Sequence, residues 1–342
     1  MPRVRRLSAW DAGVEPAFDG YRADQLMAAA AAADPDEALL RLWMRPSPAL
    51  SVGRYHRIAE GAHAEMQRRL SGGRVVPVGP GVLGVTLAVG SSQWLDGSAD
   101  LRPEQVLNRA LRPVLAVLRT FGINAFYGGR DLVTVDGRPL LHASFCPFAD
   151  GALLVEVMVA TSSSFTELES FATRLDPKGL TVAAPGMFAS AVALSEFGTV
   201  PPKAAWLSEL VNAAKAAFKA EARLLETPPH DLVRAVAADE EAYAGFARER
   251  GPYPDDALTA AAVGMLGVVE AAAVVEDGYV RRLEISGDLI APFETIEAVG
   301  LACEGKRAEN EVLRRIVLRE LAAPGRFVLG LLDLEELVGR LV

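Results

Sequence analysis

The densest group of chemistry-bearing residues runs Arg68-Arg69-Leu70-Ser71-Gly72-Gly73-Arg74 and leads straight into a Val-, Gly- and Pro-rich stretch, Val75 to Val89. A serine and two glycines there form either a plain surface turn or a loop whose main chain meets a ligand, since only glycine admits so close an approach. Arg69 also reads as a simple cation at a helix end, where the dipole favours it. Arg74 faces either a ligand or water. Asp131 opens an apolar run and reads as a cap, and Lys178 beside Gly179 reads as a loop lysine. Cys146, between Phe145 and Pro147, would act as a nucleophile only with a base or cation nearby. His142 stands four residues back on the same strand, so the two meet only if the chain bends at Ser144. The histidines (His56, His63, His142, His230) show no metal-ligand spacing, and Cys146 and Cys303 form no CxxC pair. That pattern argues against a zinc site or a disulfide framework.

These residues need a scaffold, and the chain is long enough to build one. At 342 residues, 51% hydrophobic and 23% charged, it reads as globular, with one large domain and a smaller one. A net charge of -9, with no dense basic patch, speaks against a nucleic-acid partner. The N-terminus lacks an apolar signal core, and the run Ala28 to Ala33 is too short to span a bilayer. The expectation is a cytoplasmic monomer that does not engage a membrane.

Along the chain we expect a strand at Val4 to Trp10, a helix near 18–33, and strands at 38–43 and 50–53. Ile58, Ala62, Met66 and Leu70 predict a helix over 58–69. Two β segments follow, joined at Gly79-Pro80-Gly81, and then a helix over 103–121 that Pro113 should kink or split. Asp136-Gly137 between two apolar runs predicts a hairpin. Further on come a strand at 153–160, a helix over 203–225 and an acidic helical stretch over 231–250. The last block reads as a strand from Gly264 to Ala272, an Asp277-Gly278 turn, a strand to Ser286, and helices near 292–300, 309–321 and 333–341. The expected domains are 1–226 and 258–342, joined by a helical connection over 227–257.

Taken in order, several segments resemble the lipoate–protein ligase family of the biotin/lipoate ligase superfamily. Leu40 to Trp43 with Pro48 and Leu50 to Tyr55 is similar to the family's opening strand pair and glycine-arginine turn. Arg68 to Gly73 resembles its Arg-Arg-x-Ser-Gly-Gly-Gly loop. Gly129-Arg130-Asp131-Leu132, Gly137-Arg138 and Ala143-Ser144 fall where the family has a Gly-x-Asn-Asp strand, a lysine hairpin and a Gly-Ser-Ala segment. Gly151 to Leu154, Lys178-Gly179 and Leu194-Ser195-Glu196 resemble its later motifs, and Asp277 onward resembles its small accessory domain.

The resemblance implies an α+β fold, with a mixed sheet flanked by helices and a small C-terminal accessory domain. It implies activation of lipoate or octanoate by ATP and Mg²⁺ to an acyl-adenylate, then transfer to a lysine of a lipoyl-domain acceptor. Ser71, Gly72, Gly73 and Arg69 would meet the acyl and phosphate groups, Asp131 the nucleotide or its Mg²⁺, and Lys178 with Gly179 the adenylate. Aliphatic strands would line the acyl tunnel.

The sequence departs from this pattern at several positions. The loop's third glycine is Arg74, the family's histidine is Val78, its hairpin lysine falls on Pro139, and the glycine three residues later is His142. The family's His-Gly is Asp150-Gly151, and the Asn before Asp131 is missing. Arg74 or Arg138 would then have to supply the charge. Arg138 does so only if the strand slips by one residue, which turns its side chain to the other face. Two alternatives follow: a non-catalytic relative that binds an acyl or nucleotide ligand or an acceptor domain, and acyl exchange through Cys146.

Overall fold

The computed structural model describes residues 5–15, 17–58, 66–96, 101–148, 150–166, 190–198, 200–227, 229 and 253–342. In chain order the first half runs β1 (Arg6–Val14), α1 (Ala17–Ala33), β2 (Glu37–Met44), β3 (Ala49–Val52), β4 (Met66–Arg68), β5 (Val76–Val78) and β6 (Val82–Val89). There follow α2 (Gln93–Asp96), α3 (Pro103–Ala110), α4 (Arg112–Thr120), β7 (Phe126–Tyr127), β8 (Leu132–Val135), β9 (Arg138–Pro147) and β10 (Leu153–Ala160). The rest comprises α5 (Lys203–Phe218), β11 (Glu221–Leu224), β12 (Leu258–Val263), β13 (Val268–Glu276), β14 (Tyr279–Gly287), α6 (Phe293–Cys303), α7 (Asn310–Leu321) and α8 (Leu334–Gly339).

Eight strands form one mixed sheet in the order β11-β1-β2-β6-β10-β9-β8-β7. β1 runs parallel to β2 and β11, and the other neighbours are antiparallel. β6 and β10 are buried at every position because both faces of the sheet are covered. On one face Leu40, Leu87 and Val155 pack against Val106, Leu118 and Trp206 of α3, α4 and α5. On the other, Trp10, Leu39 and Leu154 meet Tyr21 and Met27 of α1. A small sheet, β4-β3-β5, sits beside this second face, and β12-β13-β14 with α6, α7 and α8 builds a separate C-terminal core. This is the α+β architecture expected from the sequence. Among the described residues, no helix is long and apolar enough to cross a membrane.

Pro113 does divide the helix, giving α3 and α4. The Asp136-Gly137 hairpin is present, with φ of 51° and 76°, the two left-handed positions of a tight two-residue turn. Three expectations need correction. The stretch 58–69 is not one helix, for Met66–Arg68 is a strand paired with Leu50 to Val52. A spacing of four residues also satisfies a period of two, so the same apolar residues fit both forms. Residues 59–65 lie outside the described residues. The helix from Lys203 ends at Phe218, where Lys219 turns left-handed (φ 53°), and 221–224 joins the sheet beside β1. The single strand from Gly264 to Ala272 is instead the hairpin β12–β13, closed by a hydrogen bond from Gly264 N to Gly267 O of 2.6 Å. The acidic stretch 231–250 lies outside the described residues.

Candidate functional site

Strand register sets out the site. On the α1-side face of the large sheet, Arg41 of β2 stands opposite Thr86 of β6, Thr86 opposite Glu156 of β10, and Glu156 opposite Ser144 of β9. Opposed residues share a face, so four polar side chains cross the middle of the sheet as one row, all buried. Burying charge needs partners, and Arg41 has them. It donates to Glu15 and Asp24 at 2.6 Å each and to Gly20 O at 3.2 Å. Trp43 donates to Thr86 at 3.0 Å and lies flat on Gly84, where a Cβ would stand 2.1 Å from the indole.

Over this row lies the segment Ser71 to Arg74. Ser71 N donates to Glu156 Oε2 at 2.9 Å and Gly73 N to Leu289 O at 2.6 Å. Gly72 O accepts from Arg69 and from Ser144 Oγ, both at 2.7 Å, and Gly73 O accepts from His56 Nε2 at 3.1 Å. Arg69 also donates to Ser51 O, to Ser71 Oγ and to Arg74 O, so its guanidinium staples the loop. Burial lowers its pKa to about 10, against the pull of Glu156, Asp131 and Asp288. The loop thus rests on internal partners for the groups that a ligand would use.

Burial, with the charge of Asp24, raises the Glu156 carboxyl to about 7, against Arg69 and the Ser71 amide. Between its ordinary value near 4.5 and about 7 the folded chain therefore holds a proton that the unfolded chain has released. Stability is expected to fall as pH rises through that window. Glu156→Gln should flatten this part of the pH–stability curve in denaturant titrations, and an unchanged slope would place its cause elsewhere.

Arg74 Nε donates to Asp131 Oδ2, and Arg74 Nη2 reaches Met265 O at 3.3 Å. Asp131 is fully buried, which raises its pKa while Arg74 works against the rise. His142 Nε2 lies 3.6 Å from Asp131 Oδ2. Arg69, Ser71, Gly72, Gly73, Arg74 and Asp131 therefore come together, between the large sheet and the C-terminal region.

Other expected residues stand apart. Arg138 is half-exposed on the hairpin, bonded to Ser190 O at 3.0 Å and Glu196 at 3.1 Å. Lys178 and Gly179 lie outside the described residues. Asp150 accepts from Ala152 N at 3.0 Å and closes its own turn. Cys146 sits in the apolar cluster with Tyr21, Leu70 and Leu154, and burial pushes its thiol up to about 12. Sequence reading passed over Arg41, Thr86 and Glu156. Their signal was a polar residue inside an otherwise apolar strand, as in Leu-Leu-Val-Glu-Val-Met-Val-Ala.

The C-terminal region closes over this cluster. Besides the Leu289 carbonyl on Gly73 N, Tyr55 Oη donates to Ala291 O at 2.8 Å and Gly287 N to Tyr55 O at 3.1 Å. His56 lies 3.1 Å from Asp288, and Arg57 pairs with Glu284. The lipoyl protein ligase A/B catalytic domain matches residues 16–195.

This chain belongs to the lipoyl protein ligase family. Its fold is similar to P. falciparum LipL1 in complex with lipoate, with 12% identity and a TM-score of 0.65 over 90% of this chain and 94% of that one. The bipartite lipoate protein ligase of Thermoplasma acidophilum, solved in a study of that ligase and its E2 lipoyl domain, has 15% identity and a TM-score of 0.55 over 74% and 99%. A lipoate-protein ligase A bound with ATP gives 14% and 0.50 over 72% and 94%. No curated protein sequence matches the chain.

Proposed function

We propose that this lipoyl ligase relative activates lipoate or octanoate with ATP, releasing pyrophosphate, and passes the acyl group from the adenylate to a lysine of a lipoyl-domain acceptor. The observation that carries this reading is Arg74. The family's hairpin lysine position holds Pro139, whose carbonyl accepts from Val192 N at 2.8 Å. Arg74 instead brings a buried cation to the end of the glycine loop, aimed by Asp131. A preorganised cation in a site shielded from water stabilises developing charge far better than one in solvent. The Mg²⁺ expected with ATP does not fit the described residues as a protein-held ion. No group of three His, Cys, Asp or Glu residues stands ready among the described residues, so the ion would be carried chiefly by the nucleotide's own phosphates.

The test incubates the purified protein with lipoate or octanoate, ATP-Mg and a lipoyl-domain acceptor, and follows the acceptor's mass. An acyl adduct is expected. Absence of both the adduct and an adenylate formed without acceptor would remove the reading.

One observation favours a second reading, a relative that binds without turnover. The Ser71 and Gly73 amides are taken by Glu156 and Leu289. This reading expects thermal stabilisation by an acyl or nucleotide ligand with no product.

A further inference from the structure

We propose that His142 and Asp131 together read the ribose hydroxyls of the nucleotide, an inference that rests on the ligase reading above. The two residues are held side by side. Asp131 immediately precedes β8, Leu132 pairs with His142, and Ala143 N donates to Asp131 O at 2.8 Å. Both side chains are fully buried. Among the described residues, Asp131 Oδ1 and both ring nitrogens of His142 lack a hydrogen-bond partner. Orphaned polar atoms at one buried spot are costly unless a bound group completes them.

The charges select that group. An anion would meet Asp131, and an ammonium would meet Arg69 and Arg74. Burial and those two arginines also hold His142 well below its ordinary pKa, so it offers one donor and one acceptor. A neutral hydroxyl fits, donating to Asp131 Oδ1 and accepting from the imidazole N–H. Of the two small reactants, a lipoyl or octanoyl acid has no hydroxyl beyond its carboxyl group, whereas ATP carries two on its sugar. Position agrees. Ser144 Oγ touches the glycine loop at Gly72 O, 2.7 Å away. His142 lies two residues further along the same face of β9, roughly 6–7 Å away. A nucleotide with its α-phosphate at the loop places its sugar one ester linkage further on.

The test is equilibrium binding of ATP and of 2′,3′-dideoxy-ATP to the full chain, to His142→Leu and to His142→Gln. The wild type is expected to bind the dideoxy nucleotide about tenfold more weakly, the loss of one or two ordinary hydrogen bonds. His142→Leu should bind the two nucleotides alike, and His142→Gln, which keeps a donor and an acceptor, should retain part of the preference. The wild-type comparison stands even if a variant fails to fold. Equal binding of both nucleotides by the wild type overturns the inference alone, and that is also the result if a trapped water satisfies the three atoms. An undiminished tenfold preference in His142→Leu overturns it too. If ATP binds none of the proteins, the ligase reading falls and this inference with it.

Discussion

Asp131→Ala is expected to cost roughly 3–5 kcal/mol of folding stability, because it removes a fully buried carboxylate that faces the buried Arg74 guanidinium. Arg74 is nearly enclosed, its side chain 8% exposed, while Asp131 is wholly so. Arg74 also reaches Met265 O, a neutral carbonyl, at 3.3 Å. Solvent therefore screens this charge little, unlike that of a surface pair. The pair itself need not stabilise the fold. Desolvating both ions offsets most of their attraction, and an apolar pair of similar volume is often neutral or better. Asp131→Leu with Arg74→Met is accordingly expected to recover most of what Asp131→Ala loses. Guanidinium denaturation of Asp131→Leu, of Arg74→Met and of the double variant measures this coupling. A loss below about 1 kcal/mol for Asp131→Ala would mean that Arg74 reaches water or another anion in solution. The double variant has a second use. If it folds well but forms no adenylate, the pair was kept for the reaction and not for stability.

How far the sequence showed this site depended on the range of the interactions involved. The Asp136-Gly137 and Asp277-Gly278 turns were legible because a two-residue turn with positive φ selects those residues locally. The split at Pro113 was legible for the same reason, since a missing N–H acts within one turn. β11 was not. Residues 221–224 extend a good helical pattern, and only the parallel edge of β1 draws them into the sheet. The short β4 was hidden by a spacing that suits two periods. At the site, Ser71 to Arg74 and Asp131 could be found as short motifs, and they do meet. Arg138 neighbours the expected lysine in sequence, but strand alternation sends it outward to Ser190 and Glu196. The row Arg41–Thr86–Glu156–Ser144 could not be seen as a row. Each member stood out as a polar residue in an apolar strand, but their alignment depends on the register of four strands that are distant in sequence. The role of Arg69 was likewise masked. A cation next to a glycine loop suggests a ligand contact, whereas its donors go to the backbone of the loop itself.

Gly72→Ala is expected to destabilise the fold by roughly 1–3 kcal/mol, the usual range for forcing an extra carbon into a packed site. The reason lies across the contact with the C-terminal region. A Cβ on Gly72 would stand 2.1 Å from Leu289 O and 3.1 Å from Ile290 Cα. Those are main-chain atoms, so no side-chain rotation relieves the clash. Either the loop or the 287–291 segment must shift, and the Gly73 N to Leu289 O bond of 2.6 Å lengthens or breaks. Gly128→Ala is the control. Its nearest neighbour would be a Phe126 ring carbon at 3.7 Å, an ordinary contact, and its effect should stay within about 0.5 kcal/mol. Hydrogen exchange locates the damage better than global stability does. In Gly72→Ala the Gly73 amide, which bonds across this contact, and the Ile290 amide, which sits on the displaced segment and donates to Leu329 O, should exchange faster, while those in the middle of β6 and β10 keep their protection. Unchanged exchange at Gly73 would mean that the Leu289 carbonyl does not rest on the loop in solution. Fast exchange there would show the second glycine of the motif held by the chain's own backbone. Any ligand of this loop would then have to displace the Leu289 carbonyl before it could use the Gly73 amide.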